Sequence, residues 1–149
     1  MRKAIFATAL LFIMAQGSAL AQVKPETLVK QRQAVMTLHG KYMGQLGRMA
    51  QGREPYNASV AARNAGFLDA LSKMPWDGFD PSTKDVKSRA LPAVFSDPGK
   101  FKQAADRYQG EVAKLVAATK GGDEATVKSA IGAVGKACAG CHDDFQQPQ

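Results

Sequence analysis

Three residues near the end of the chain, Cys138, Cys141 and His142, form the pattern C-x-x-C-H. This pattern is the attachment sequence of a c-type haem. Each thiol adds to one vinyl group of the porphyrin to form a thioether, and the histidine supplies an imidazole nitrogen to the iron. Residues three and four apart lie on one face of a helix, so the three side chains project towards one flat ligand. We therefore expect one covalently attached haem c with His142 as axial iron ligand.

Two cysteines near a terminus have three other common uses: a structural disulfide, a redox C-x-x-C pair and half of a zinc site. A zinc site needs a second C-x-x-C or two further ligands, and the other histidine, His39, lies about a hundred residues away. A redox pair usually follows a strand at the start of a helix, whereas this pair lies late in a helical stretch. The haem interpretation is favoured because the predicted export and the helical fold agree with it.

The first 21 residues have the pattern of a secretory signal peptide. Residues 2 and 3 are basic, residues 4–15 are an apolar stretch, and residues 19–21 are a small-x-small cleavage site. We expect cleavage before Gln22 and a mature domain of residues 22–149 in the periplasm. The apolar stretch is too short to span a bilayer and no continuous hydrophobic run follows it, so no membrane insertion is expected after cleavage. An uncleaved anchor is the alternative.

The mature chain has the size of a single domain with one core. Removal of Arg2 and Lys3 leaves 18 basic residues of the original 20 against 13 acidic ones, so the formal charge falls from +7 to +5. Basic and acidic residues are interleaved, and no run of Lys or Arg is long enough to indicate a nucleic-acid or membrane patch. The mild positive charge favours an acidic redox partner, which the sequence does not identify.

Apolar residues recur at intervals of three and four along four segments, which predicts four amphipathic helices. The predicted helices run from Pro25 to near Gly52, from the N-cap Asn57 to Pro75, from Pro98 to Lys120, and from near Asp123 through the haem motif. The apolar stripe of the second helix, which is expected to face the core, includes Phe67 and Met74. Residues 75–98 are rich in Pro, Gly, Asp and Ser and are predicted to form a long loop. This pattern predicts an all-α, antiparallel four-helix bundle with the haem between the helices.

Three stretches of the chain resemble the cytochromes c′, the class II c-type cytochromes. They are residues 134–145 (VGKACAGCHDDF), residues 71–79 (LSKMPWDGF), and Pro25-Glu26 followed by residues 32–36 (RQAVM). The resemblance covers nearly all of the mature chain, and the haem motif lies on the last helix, as in that family. It implies the four-helix bundle that the periodicity also predicts.

The resemblance implies a haem with His142 as its only protein ligand. Met36 on the first helix matches the apolar residue that closes the sixth side of the iron in this family. Arg32, one helical turn earlier, matches an arginine that lies near a haem propionate, and Gln33 is a further candidate nearby.

Two aromatic residues are also placed beside the haem by the resemblance. Trp76 and Phe79 are expected to pack around it, with the Trp76 N–H offered to a propionate. The chain departs from the family at Gln146, where many members carry Arg or Lys. Any role of that positive charge on the side of the haem that faces His142 is therefore not carried over to this chain. Members are usually homodimers, often through the first two helices, and the resemblance implies a homodimer here.

The use of the haem depends on Met36. If its thioether stays off the iron, the haem is five-coordinate and high-spin and can bind small gases such as NO or CO. If it ligates the iron, the site is low-spin and suits an electron carrier. We expect the gas-binding form, because Arg32-Gln33 and Pro75-Trp76 resemble that branch of the family. A methionine that only fills the core is a further reading of Met36.

His39 lies one turn beyond Met36 on the same stripe. A bis-histidine haem would need His39 to reach the iron, and we expect a partly exposed histidine instead. The sequence shows no hydrolytic triad, phosphate loop or paired-carboxylate site. We therefore expect an electron-transfer or gas-binding haem protein and not an enzyme.

Overall fold

The computed structural model describes residues 23–148, so the predicted signal peptide lies outside the described residues. It contains α1 (Pro25–Ala50), α2 (Ala58–Leu71), a short α3 (Ala93–Ser96), α4 (Pro98–Thr119) and α5 (Glu124–Phe145). Each of the four long helices contacts two others, in the order α1, α2, α4, α5 and back to α1. This arrangement confirms the predicted all-α four-helix bundle. Among residues 23–148, no helix is long and apolar enough to cross a membrane.

Side-chain caps fix the starts of three long helices. A side-chain oxygen accepts a hydrogen bond from the backbone N–H three residues later in each pair: Asn57 with Val60 (3.0 Å), Asp97 with Lys100 (3.0 Å) and Asp123 with Thr126 (2.7 Å). Such a cap satisfies one of the free N–H groups of the first turn and contributes about 1 kcal/mol. At the end of α1, Gly52 adopts a positive φ of 71°, a conformation that glycine adopts without strain. The predicted helix starts and the stop near Gly52 are therefore confirmed.

The packed core lies towards one end of the bundle. It is built from the last turns of α1, the first part of α5 and the facing parts of α2 and α4. Its largest fully buried members are Leu46, Met49, Leu68, Val112, Leu115, Val127, Ile131 and Val134. Burial of each such side chain contributes about 1.5–3 kcal/mol relative to exposure. This core supports the other end, where the first half of α1 faces the end of α5.

Two residues of the predicted second stripe do not belong to the core. The helix ends at Leu71 and not at Pro75, so Met74 lies beyond it and is 55% exposed. Phe67 is 43% exposed and lies at the edge between α1 and α2, where its ring centroid is 4.8 Å from that of Tyr42. The prediction that both face inwards was wrong. The helix ends before Met74, and Phe67 lies at the edge of the buried face of the helix.

The long connection between α2 and α4 is more regular than the predicted loop. It contains two 3₁₀ helices, Trp76–Phe79 and Pro81–Thr83, followed by α3. Helices of three or four residues are too short to produce a periodic pattern, so the sequence did not reveal them. The connection approaches α1 most closely at Gly78, where a Cβ atom would lie 2.7 Å from Arg32 Cβ and 2.9 Å from the Leu28 carbonyl oxygen. Only glycine fits at this point without displacing backbone.

We predict that Gly78→Ala lowers the free energy of unfolding of the holoprotein by about 1–3 kcal/mol, because the added methyl group collides with α1. The matched control is Gly110→Ala in α4, where a Cβ would meet nothing within 4 Å. That substitution should stabilise the protein by up to about 1 kcal/mol through helix propensity. Urea unfolding followed by circular dichroism measures both changes. Equal effects of the two substitutions would contradict the close approach.

Candidate haem site

A cavity of about 1190 Å³ lies between α1, α4, α5 and the long connection. Its volume exceeds the roughly 300–1,000 Å³ of sites for drug-sized ligands, so it can hold a group as large as a porphyrin. The structure brings together all the site residues expected from the sequence, since each of them lines this cavity: Arg32, Gln33, Met36, Trp76, Phe79, Cys138, Cys141 and His142.

The three motif residues lie on the last turns of α5. Neither Cys138 nor Cys141 is in a disulfide. Burial, together with the neighbouring Cys141, raises the pKa of Cys138 to about 11. Burial and the charge of Asp144 also raise the pKa of Cys141. Without haem attached, both groups are therefore neutral thiols at pH 7 in this fold. Within residues 23–148, no three His, Cys, Asp or Glu side chains cluster to bind a bare ion.

Arg32 places a buried positive charge at the cavity wall. The residue is 3% exposed, and burial lowers its pKa. Its guanidinium donates hydrogen bonds to the connection, at the Gly78 carbonyl oxygen, Thr83 Oγ1 (3.0 Å) and Ser88 Oγ (3.0 Å). The charge also lies 4.4 Å from the ring centroid of Phe79. None of the ion pairs among the described residues includes Arg32, so its charge suits an anionic group on a bound ligand.

Aromatic rings form a second wall of the cavity. Phe101 connects the wall to α5, because its ring centroid lies 6.0 Å from Trp76, 4.8 Å from Phe79 and 5.2 Å from Phe145. The Trp76 indole N–H donates to the Ser72 carbonyl oxygen at 2.7 Å. An indole has a single N–H donor, so the structure corrects the expectation that this group is offered to a propionate. The role of Trp76 at the wall is packing.

Part of the α1 wall of the cavity is apolar and has few large side chains. Met36 and Met43 line it together with Gly40, Gly44 and Gly47. A Cβ atom at Gly40 or Gly47 would meet nothing within 4 Å, which shows how much space this face leaves. Met36 lines the cavity, and the surrounding residues of the chain leave it 36% exposed.

His39 is 9% exposed, so the expectation of a partly exposed histidine was wrong. Its position on the inner face of α1 turns the ring towards α4, where it packs edge-on against Tyr108 with ring centroids 5.4 Å apart. Both residues line the cavity. Periodicity placed His39 on the inward face of the first helix, but neither His39 nor Tyr108 was predicted as a site residue. The sequence contained a signal for His39, because a polar residue on the apolar face of a helix needs a hydrogen-bond partner when it is buried.

The connection closes the cavity by pairing with the end of α5. Ala90 and Gln146 form an antiparallel bridge next to the haem motif. Backbone hydrogen bonds on either side join Leu91 N–H to Phe145 O (2.9 Å) and Gln147 N–H to Arg89 O (2.8 Å). Gln146 therefore contributes to the site through its backbone. The sequence had drawn attention only to its side chain, which stands where many family members carry a basic residue, and did not indicate this role.

Comparison with known proteins agrees with this geometry. The family model described as Cytochrome C′ matches residues 27–146. The cytochrome c′ of Rubrivivax gelatinosus is 45% identical over 125 residues, which cover 83% of this chain and 97% of the relative. Two solved structures of Alcaligenes xylosoxidans cytochrome c′ variants are also similar, one ferrous with bound NO and one with bound CO. Their TM-scores are 0.79 and 0.78 at 35% and 36% identity, and each match covers 85% of this chain and 98% of the solved one.

The residues of the cavity fit a covalently bound haem. Two thiols and an imidazole lie on one helix, and the unpaired charge of Arg32 suits a carboxylate of the porphyrin. Fold, site and comparisons agree: the chain belongs to the cytochrome c′ family and carries one covalently attached haem c.

Proposed function

We propose that this protein is an exported cytochrome c′ that binds small gases at a five-coordinate, high-spin haem and can exchange electrons. His142 is the only protein ligand of the iron in this proposal. Thioether bonds from Cys138 and Cys141 hold the porphyrin on α5. When bound, the haem supplies an iron atom that can take a gas molecule or an electron.

The α1 wall of the cavity carries this proposal. Opposite the helix that bears His142, it presents Met36, Met43 and three glycines. These residues leave room for a diatomic molecule, and the thioethers of Met36 and Met43 are the iron-binding groups among them. Met36 is the one that matches the sixth side of the iron in the resembling family. The NO and CO complexes of the related Alcaligenes xylosoxidans protein support the same use of the cavity here.

The remaining site residues orient the porphyrin in this proposal. Arg32 attracts a propionate with the charge that the protein leaves unpaired, and Gln33 lies at the cavity beside it. Trp76 and Phe79 cover a porphyrin edge with apolar surface and exclude water. A drier site strengthens the interaction between the Arg32 guanidinium and the carboxylate, because the local dielectric constant is lower.

A low-spin electron carrier with His142 and Met36 as ligands is the second candidate. It is favoured by one observation, that Met36 lines the same cavity as His142. A thioether can serve as an axial ligand to haem iron. The two candidates differ in the coordination number of the iron, which spectroscopy measures.

We predict a high-spin EPR spectrum for the ferric protein and ready CO binding by the ferrous protein. Met36→Ala should speed CO binding about tenfold, because the ligand then displaces about 1.4 kcal/mol less apolar contact. Stopped-flow mixing with CO measures this rate. The matched control is Met74→Ala, since Met74 is exposed and outside the cavity, and its rate should equal that of the wild type.

A different spectrum would favour the second candidate. A low-spin ferric spectrum with a methionine-to-iron charge-transfer band, lost in Met36→Ala, would contradict the five-coordinate proposal.

We predict that Cys138→Ala lowers both the yield of holoprotein and the helicity of the purified chain. The reason is that the haem packs between the helices and stabilises only the folded state. Ser129→Ala, an exposed change on the same helix, is the control and should alter neither quantity. Haem absorbance and circular dichroism measure the two effects. Unchanged helicity in the Cys138 variant without haem would show that the bundle does not depend on the cofactor.

Export is part of the proposal and rests on the signal-peptide pattern of residues 1–21. We predict that the protein purified from a periplasmic extract begins at Gln22. N-terminal sequencing or intact mass measurement checks this directly. A holoprotein that retains residue 1 and sediments with membranes would instead support the uncleaved anchor.

A further inference from the structure

A second, smaller pocket lies on the outside of the bundle, between α4 and α5. Its volume is about 110 Å³, and its polar and charged residues are Lys100, Gln103, Arg107 and Asp144, all of them exposed. Ala137 and Cys141 line this surface pocket and also line the haem cavity. These two residues therefore form the wall between the haem cavity and the surface pocket.

Cys141 connects the surface pocket to the haem. Its sulfur is bonded to the porphyrin when the haem is attached, and the residue is only half-buried in the fold. Cys138, the other attachment residue, lines the haem cavity but does not line the surface pocket. The thioether of Cys141 is therefore a short covalent route between the porphyrin and the outside of the bundle.

The charge around the surface pocket is positive. Lys100 Nζ lies 2.9 Å from Asp144 Oδ1, so the charges of these two residues compensate each other. Arg107 is exposed, and none of the ion pairs among the described residues includes it. The same holds for Lys136, which lies one helical turn before Gly140 at the edge of the pocket. The charges of Arg107 and Lys136 are therefore left for an anionic partner.

The surface pocket fits a carboxylate group. A water molecule takes about 30 Å³ in the liquid, so a pocket of about 110 Å³ has room for a carboxylate but not for a cofactor. The Arg107 guanidinium can donate two parallel hydrogen bonds to a carboxylate, and the Gln103 amide N–H can donate another. Surface aspartate and glutamate side chains of another protein carry this group.

We propose that the surface pocket is the docking point for a redox partner with an acidic surface, and that electrons pass between the two proteins through the Cys141 thioether. A carboxylate of the partner enters the pocket beside Arg107, and Lys136 attracts the negative charge around it. When the ferrous protein gives up one electron, the oxidised partner takes it up, and no proton or bond is exchanged. This inference rests on the electron exchange proposed above and gives the expected acidic partner a place on the surface.

Two small oxidants of opposite charge test the role of the positive charge. Stopped-flow mixing measures the oxidation of the ferrous holoprotein by ferricyanide, an anion, and by tris(phenanthroline)cobalt(III), a cation. We expect Arg107→Gln to slow the reaction with ferricyanide about threefold at low ionic strength, and not to slow the reaction with the cobalt complex. The matched control is Arg53→Gln, which removes the same charge from an exposed residue outside both cavities. Its rate with ferricyanide should stay close to that of the wild type.

A second pair of variants tests the surface pocket without a change of charge. Ala139 and Gly140 are both exposed and occupy the two variable positions of the C-x-x-C-H motif, and of these two only Gly140 lines the pocket. A Cβ atom at Gly140 would meet nothing within 4 Å, so a larger side chain can enter the pocket without displacing backbone. We expect Gly140→Leu to slow oxidation by both reagents and Ala139→Leu to slow neither.

Binding is measured separately from electron transfer with hexacyanochromate(III), a paramagnetic anion of the same charge as ferricyanide that takes no electron from the protein. In NMR spectra of the isotope-labelled holoprotein, a bound paramagnetic anion broadens the signals of nearby groups. We expect it to broaden the side-chain amide signal of Gln103 before that of Gln51, which is exposed and lies outside both cavities. The broadening at Gln103 should be weaker in Arg107→Gln.

Equal rates with ferricyanide in the wild type, Arg107→Gln and Gly140→Leu would overturn the surface pocket as the route for electrons. A loss of rate in Arg89→Gln alone would also overturn it, because Arg89 lines the haem cavity and not the surface pocket. Equal broadening at Gln103 and Gln51 would overturn the docking point. Preferred broadening at Gln103 in a protein that neither reagent oxidises would instead contradict the electron exchange in the proposed function.

Discussion

The shape of the haem cavity depends on the buried guanidinium of Arg32. This side chain extends from α1 and binds three separate points of the long connection, at Gly78, Thr83 and Ser88. A guanidinium carries five N–H donors in a rigid fork, so it can hold several backbone and hydroxyl oxygens at once. The short helices of the connection are too brief to be stable alone. Their position against α1, and with it the aromatic wall of the cavity, is therefore fixed by Arg32.

The bundle itself could be predicted because its signals are local. Three- and four-residue periodicity marks each long helix. Capping and backbone geometry mark helix starts at Pro25, Asn57 and Asp123 and a helix end at Gly52. The connection gave no such signal, since its order comes from contacts with α1 that are distant in sequence. The same limit applies to Gly78, where glycine is required by the backbone of another helix.

The site could be predicted in its composition but not in its hydrogen bonds. Motif spacing and resemblance identified residues that all line one cavity. The partners of polar groups were missed: the Trp76 N–H binds its own chain at Ser72, and His39 is buried against Tyr108. Each of these contacts depends on how a side chain turns after the helices have packed, which spacing along one helix does not specify.

In the proposed site, different kinds of force would position the groups on the two sides of the haem. Thioether bonds on its own helix and the backbone pairing of Gln146 with Ala90 would fix the side of His142. Met36 is separated from His142 by most of the chain and is placed by the packing of α1. A small shift of α1, through Arg32 or Gly78, would therefore change the Met36 side without disturbing haem attachment. In this proposal the ligand chemistry of the iron depends on the packing of α1 more than on the motif that holds the haem.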